Sequence, residues 1–196
     1  MPLILPKQTE FVSVPAGSYS AVCYRVVDLG TQFSQFYQKA SHKLMISWEL
    51  DEKMTDGKPF SIHKRYTLSG GKNSALRKDL ESWRGQAFTA EEFGTFDIGV
   101  LIGKGCMIGV STRATEGHTY SDVSSIMKLP KGTTPMMAVN ETLYFSLNDF
   151  KQDVFDKLSD HIKESIAKSP EYQQIKAPNV PDRDPSEDRY EESIPF

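Results

Sequence analysis

The stretch from His42 to Leu50 alternates regularly between apolar and polar side chains. Its even positions from 44 onward are all apolar and its odd positions are mainly polar: Leu44, Ile46, Trp48 and Leu50 against Lys43, Met45, Ser47 and Glu49. Successive side chains of a β-strand point to opposite faces, so the pattern predicts a half-buried strand with Trp48 in the core. A fold built around a sheet is therefore expected.

Two further strands accompany this one. Ser18 to Leu29 carries apolar residues on both faces, and Pro59 to Leu68 follows a turn signal at Asp56-Gly57. Residues 30–41 are rich in glutamine and aromatic side chains, and we predict that they form a loop between the first two strands. These three strands would form a meander.

The apolar spacing then changes to that of a helix. Leu76, Leu80 and Trp83 recur at helical intervals between a capping Asn73 and a terminating Gly85. Trp83 lies on the apolar stripe of this helix, so we expect it to plug one end of a barrel.

Two more strands follow the helix, from Lys104 to Thr112 and from Thr119 to Leu129, with a turn at Glu116-Gly117. Three strands, a helix and two strands make a mainly β protein. This order predicts the five-stranded Greek-key barrel of the OB fold, in which strand faces and loops bind oligonucleotides.

A C-terminal helix is predicted from Phe150 to about Lys168, capped by Asn148 or Asp149 and ended by Pro170. Its apolar stripe is formed by Phe150, Val154, Leu158, Ile162 and Ile166. We expect this stripe to pack on the barrel; self-association through it is the less favoured alternative.

The chain divides by composition into a barrel domain of residues 1–147, the helix of 148–176, and an acidic tail of 177–196 that is predicted to be disordered and to bind other proteins. The tail has a net charge of −4, which leaves +1 for the rest of the chain, and residues 39–84 are locally basic by +4. Proteins that contact a nucleic-acid backbone need such a basic region.

Several classes of protein are not favoured. No apolar run is long enough to span a bilayer, and residues 1–10 lack the basic flank and apolar stretch of a signal peptide, so a cytoplasmic protein is expected. Cys23 and Cys106 fall within predicted strands, where reduced thiols usually pack as small apolar side chains. We therefore expect no disulfide.

No motif for catalysis or for binding a cofactor or metal is found in the sequence. The stretch from Ser69 to Asn73 lacks the spacing and the hydroxyl residue of a phosphate-binding loop. The histidines fall on separate elements without a nearby cysteine pair, so no zinc site is expected: His42, His63, His118 and His161. We expect a binding protein rather than an enzyme, and a nuclease is the least favoured alternative.

Binding of a single nucleic-acid strand needs cations that follow the phosphates and aromatic faces on which bases stack. Both occur in the segments that would line the groove of an OB fold. The first loop offers Phe33, Phe36, Tyr37, Lys39 and Lys43; the second and third strands add Lys53, Lys58, His63, Lys64, Arg65 and Tyr66; Arg113 and Tyr120 flank the loop between the last two strands.

Some of these residues have a structural alternative. Tyr66 shares a face with Ile62 and Leu68, so core and groove are equally favoured for its ring. Lys64 and Arg65 are adjacent on a strand and must point to opposite faces, so only one of them can line a given face.

The end of the sequence combines acidic and apolar residues: Glu191, Glu192, Ser193, Ile194, Pro195 and Phe196. A partner protein could seat the aromatic ring in a pocket and bind the terminal carboxylate with an Arg or Lys. This tip resembles the C-terminal tail of bacterial single-stranded-DNA-binding proteins, with Ser193 where an aspartate is usual.

The stretches from Asp97 to Arg113 and from Ser169 to Tyr172 resemble segments of phage-encoded single-stranded-DNA-binding proteins. The resemblance implies a protein of the host cytoplasm that coats and protects single-stranded DNA during phage replication, recombination and repair. It would recruit host or phage replication and repair proteins through Phe196. A strand-annealing or recombination mediator and an adaptor that binds only proteins are the alternatives. The oligomeric state is left open.

Overall fold

A computed structural model describes residues 13–115 and 117–177. Six strands form one sheet: β1 Gly17–Ser34, β2 Lys39–Lys53, β3 Pro59–Thr67, β4 Gly105–Thr115, β5 His118–Met127 and β6 Leu143–Phe145. The helices are α1 Ala75–Arg84, α2 Ala90–Gly94, a 3-10 helix Ile98–Leu101, α3 Gln152–Asp156, α4 Asp160–Ala167 and α5 Pro170–Lys176. The prediction of a mainly β protein is confirmed. None of the helices described is long and apolar enough to cross a membrane.

The strand β1 lies at the centre of the sheet. One of its edges pairs with β2 from Ala21 to Ser34, and the other pairs first with β4 and then with β6. The path β3-β2-β1-β4-β5 is antiparallel throughout, whereas β6 runs parallel to β1. Over the described residues no hydrogen-bonded ladder joins β3 to β5, so the sheet is open where a closed barrel was predicted.

The pairing of β1 with β2 has two irregularities. The register shifts between Cys23 and Arg25 and again between Asp28 and Gly30. After the first shift the side chains facing the inner side of the sheet change from odd to even positions, so Cys23 and Val26 join the same core cluster. A regular alternation of apolar and polar residues in the sequence does not predict where the inward-facing positions change from odd to even.

An inner apolar cluster fills the space between the sheet and α1. Trp48 is fully buried, and its ring lies 5.8 Å from that of Trp83 on α1. The indole N–H of Trp83 donates to the carbonyl of Gly105 at 2.9 Å, which ties α1 to the start of β4. The helix is capped by Ser74 rather than by the predicted Asn73, and it ends at Gly85 in the left-handed conformation, as predicted.

An outer apolar cluster covers the opposite face of the sheet. It joins Val27 and Leu29 of β1 and Met45 of β2 to residues of the C-terminal segment, namely Phe145, Leu147, Phe155, Leu158, Ile162 and Ile166. The backbone of Gly30 makes this contact possible, because a Cβ at this position would lie 2.5 Å from the Cβ of Ser169. The C-terminal segment therefore packs on the sheet.

The prediction of one continuous C-terminal helix is wrong, because the segment forms three short helices, α3, α4 and α5. α3 is preceded by Lys151, which makes no side-chain cap, and α4 begins only after Ser159. Pro170 opens α5 instead of ending a helix, since its fixed φ suits the first helical position and Ser169 caps the turn. The predicted apolar stripe is nevertheless buried or packed against the outer cluster along its whole length.

The predicted loop over residues 30–41 is also wrong. β1 continues to Ser34 and β2 begins at Lys39, which leaves a four-residue turn at 35–38. Gln38 takes a positive φ of 47° in this turn. Phe33 thus belongs to a strand, because backbone pairing across the hairpin overrides the turn-like composition of the segment.

A polar network fixes α5 to β1. Both carboxylate oxygens of Glu171 accept from Thr31, one from its backbone N–H at 2.9 Å and one from its hydroxyl at 2.5 Å. His42 lies 3.6 Å from Glu171 and 2.6 Å from Asp28. Burial raises the pKa of Glu171, but the Thr31 hydrogen bonds and the neighbouring His42 outweigh it, and the pKa lies below its usual value of 4.5.

We expect Glu171→Gln to lower the urea midpoint of unfolding at pH 7, because the amide cannot accept both Thr31 bonds. A carboxylate whose pKa is depressed by folding stabilises the protein above its unfolded pKa, and this contribution disappears as the pH falls through the folded pKa. The difference between wild type and variant should therefore shrink below about pH 4.5. Glu164→Gln, on the exposed side of α4, is the matched control. A pH-independent difference would contradict this account.

Candidate nucleic-acid interface

A groove of about 810 Å³ opens beside the β1–β2 hairpin, between the edge of the sheet and the N-terminus of α1. We call it the hairpin groove. Six of the side chains predicted to bind DNA line it together: Phe33, Tyr37, Lys39, Lys43, Arg65 and Tyr66. They come from three strands and a turn, and the pairing of β1 with β2 and of β2 with β3 brings them together.

The cations of the hairpin groove contact neutral groups or solvent. Lys43 donates to the hydroxyl of Thr67 at 2.6 Å, and Arg65 lies 3.3 Å from the ring nitrogen of His161. Lys39 is exposed at the start of β2. Within the described part of the chain, none of these three forms a salt bridge and no lining residue is acidic. The lining of the groove, as far as the structure describes it, therefore has a net positive charge.

Three aromatic side chains stand exposed at the hairpin. Phe33, Phe36 and Tyr37 are 61%, 87% and 76% exposed. Phe36 and Tyr37 contact each other edge to face, with ring centroids 4.9 Å apart. Exposed aromatic rings next to cations offer faces to planar ligands.

His63 lies on the outer face of β3, near the cations of the hairpin groove. It pairs with Ser47 across the ladder, two positions from Arg65. Desolvation lowers the pKa of His63 below its usual 6.5, and the nearby Arg65, Arg25 and His161 lower it further. With its pKa below 6.5, His63 is mainly neutral at pH 7 and adds little charge to this surface.

Tyr66 and Lys64 contact α1. Tyr66 is buried in the inner cluster, and its hydroxyl donates to Asp79 at 2.8 Å. Lys64 reaches the same carboxylate at 2.7 Å, on the face opposite Arg65. The sequence left core and groove equally favoured for the Tyr66 ring, and in the structure the ring lies in the core. Burial and the neighbouring Asp79 raise the pKa of its hydroxyl.

Four other predicted residues lie at the far end of the sheet. The β2–β3 and β4–β5 turns meet the N-terminal end of β1, whereas the hairpin groove lies at its C-terminal end. Lys58 at the β2–β3 turn pairs with Asp56, and Arg113 pairs with Asp122 at 2.8 Å. The four residues that the structure keeps away from the hairpin groove are Lys53, Lys58, Arg113 and Tyr120.

Sequence reasoning missed the polar lining of the groove. Hydroxyl and amide side chains complete it, namely Gln32, Ser41, Thr67, Ser69 and Ser165. Isolated serines and threonines carry no signal of their own, and only tertiary folding brings Ser165 of α4 next to β1. The predicted tail residues Glu191, Glu192, Ile194, Pro195 and Phe196 lie outside the described residues.

No protein-family model and no curated protein sequence matches this chain. Across the described residues, no group of three or more His, Cys, Asp or Glu side chains is close enough together to hold a metal ion. The interpretation of the hairpin groove therefore depends on its own chemistry.

We expect Tyr66→Phe to reduce the free energy of unfolding by about 1.5–3 kcal/mol, as is typical for the loss of a buried hydrogen bond to a charged group. Urea unfolding followed by tryptophan fluorescence measures the change. Tyr37→Phe removes a hydroxyl from an exposed ring and should leave the stability unaltered. Equal stabilities of the two variants would argue against the core position of Tyr66.

Proposed function

We propose that this protein binds single-stranded DNA without sequence preference, with the strand lying in the hairpin groove. The observation that carries the proposal is the convergence of three cations on two exposed aromatic rings, in a groove with no acidic residue in its described lining. Cations can follow the phosphates, while bases stack on Phe33 and Tyr37. Phe36 extends the stacking surface beyond the groove.

The rest of the lining suits phosphate groups. Its serine and threonine hydroxyls can donate to phosphate oxygens, as in many contacts to nucleic-acid backbones. Ser74 and Ala75 place the N-terminus of α1 at the groove, and this end of a helix carries a positive partial charge. These contacts would hold the backbone of a nucleic-acid strand in position without distinguishing one base from another.

Stacking also explains a preference for single strands. The rings of Phe33 and Tyr37 can reach only bases whose faces are free, and duplex bases are already stacked on one another. Duplex DNA of the same length should therefore bind more weakly, through phosphate contacts alone.

The sheet supports a variant of the OB fold as the underlying architecture. β3 and β5 end the strand path but lie close to each other, and α1 contacts both. In the OB fold the strand-two and strand-three face forms the ligand groove, next to the loop between strands one and two. We propose that β1 to β5 follow this plan, with β6 and α3 to α5 covering part of the outer face.

In the setting that the sequence resemblance implies, the protein would coat single-stranded intermediates of phage replication and recombination. Residues 191–196 would recruit replication or repair proteins, since their acidic and apolar side chains suit a basic pocket with an apolar floor.

Tyr37→Ala should weaken binding of a fluorescent oligo-dT by about 1–3 kcal/mol, the usual contribution of one stacked base. Fluorescence anisotropy measures the affinity. Tyr120→Ala removes an aromatic ring at the far end of the sheet and should leave the affinity unchanged. Equal losses in both variants would contradict the hairpin groove as the binding site.

Lys43→Ala should reduce the slope of log affinity against log salt concentration by about 0.7, the contribution of one phosphate contact to a single strand. Lys58→Ala, at the β2–β3 turn, should leave the slope unchanged. Titrations of oligo-dT at four or more salt concentrations provide the comparison. If the wild-type protein binds neither oligo-dT nor duplex, the adaptor alternative replaces this proposal.

A further inference from the structure

A second concavity of about 460 Å³ lies at the C-terminal end of α1, the opposite end from the hairpin groove. We call it the α1 pocket. Its wall is mainly apolar and combines α1, the 3-10 helix and the segment after β5: Trp83, Phe88, Leu101, Leu129, Pro130 and Pro135. Its volume falls within the range of about 300–1,000 Å³ that is usual for ligand sites.

The rim of the α1 pocket is basic. Lys104, Lys128 and Lys131 line it, together with Arg84. Arg84 pairs with Glu92 at 3.2 Å, whereas no carboxylate in the described part of the chain forms a salt bridge with the three lysines. An apolar floor with a cationic rim suits a segment that is both apolar and acidic.

We propose that residues 191–196 of the same chain occupy the α1 pocket. Ile194 and Phe196 match the apolar wall, and Glu191 and Glu192 match the lysine rim. The chain from Ala177 to Phe196 can extend to about 60 Å at 3.3 Å per residue. This exceeds the roughly 30 Å diameter of a small domain, so the segment can reach the pocket.

The α1 pocket suits this segment better than the hairpin groove does. Both concavities carry cations, but apart from Phe33 and Tyr37 the groove is lined largely by hydroxyl and amide groups, whereas the pocket offers tryptophan, phenylalanine, leucine and proline side chains. Because the two concavities lie at opposite ends of α1, the segment can dock without blocking the groove. A partner protein that recognises residues 191–196 must then compete with the α1 pocket.

Paramagnetic relaxation enhancement in the full chain tests the proposal. Cys23 and Cys106 are buried, and burial raises the pKa of the Cys23 thiol to about 12, so a spin label would react selectively with an introduced Ser193→Cys. We expect the amide signals of residues 128, 129 and 131–134 and of Lys104 to be lost selectively. Loss centred on Lys39, Lys43 and Arg65, or no localised loss, would overturn the proposal.

Two variants and one mixture complete the experiment. Lys128→Glu combined with Lys131→Glu should restore the lost signals, whereas Lys39→Glu combined with Lys43→Glu should not. A mixture would contain spin-labelled protein at natural isotope abundance and ¹⁵N-labelled protein that carries no spin label. In this mixture the amide signals should stay intact. Loss of equal size in the mixture would show docking between two copies and would overturn docking within one chain. None of these readouts depends on DNA binding.

Discussion

The burial of β1 on both faces is the constraint on which the rest of this structure depends. A strand with Val26 on one side and Val27 on the other needs apolar cover from two directions. The α1 helix lies against one side of the sheet, and the C-terminal segment covers the other. The register shifts near Cys23 and Gly30 change which residues of β1 face each side, and the missing side chain of Gly30 leaves room for Ser169.

This arrangement also determines which part of the outer face stays open. α4 and α5 contact β1, so the sheet at Val27 is covered. On β3, Arg65 contacts His161 of α4, and this contact marks the boundary of the cover. The hairpin groove begins at this boundary, and Ser165 of α4 forms part of its wall. The segment that stabilises the sheet thus also shapes the proposed DNA site.

The two ends of α1 face concavities with different chemistry. Its N-terminus opens into a polar, cationic groove, and its C-terminal half forms one wall of an apolar pocket with a basic rim. The buried pairing of Trp83 with Trp48 holds the helix in place between them. Separate surfaces of this kind would allow one small protein to hold a nucleic-acid strand and an acidic peptide segment at the same time.

The sequence by itself determined the strands that alternate regularly, the position of α1 and the burial of Trp48, because each follows from the local spacing of apolar side chains. It also identified the cations and aromatic rings that the hairpin groove brings together, since residue type is visible without a structure. Tertiary structure alone decided which of them converge, because Lys43 and Lys58 differ only in the end of the sheet they occupy. The length of β1, the three-residue β6 and the break between α3 and α4 likewise depend on partners distant in sequence. Backbone pairing and burial, which act between those partners, override local composition in each case.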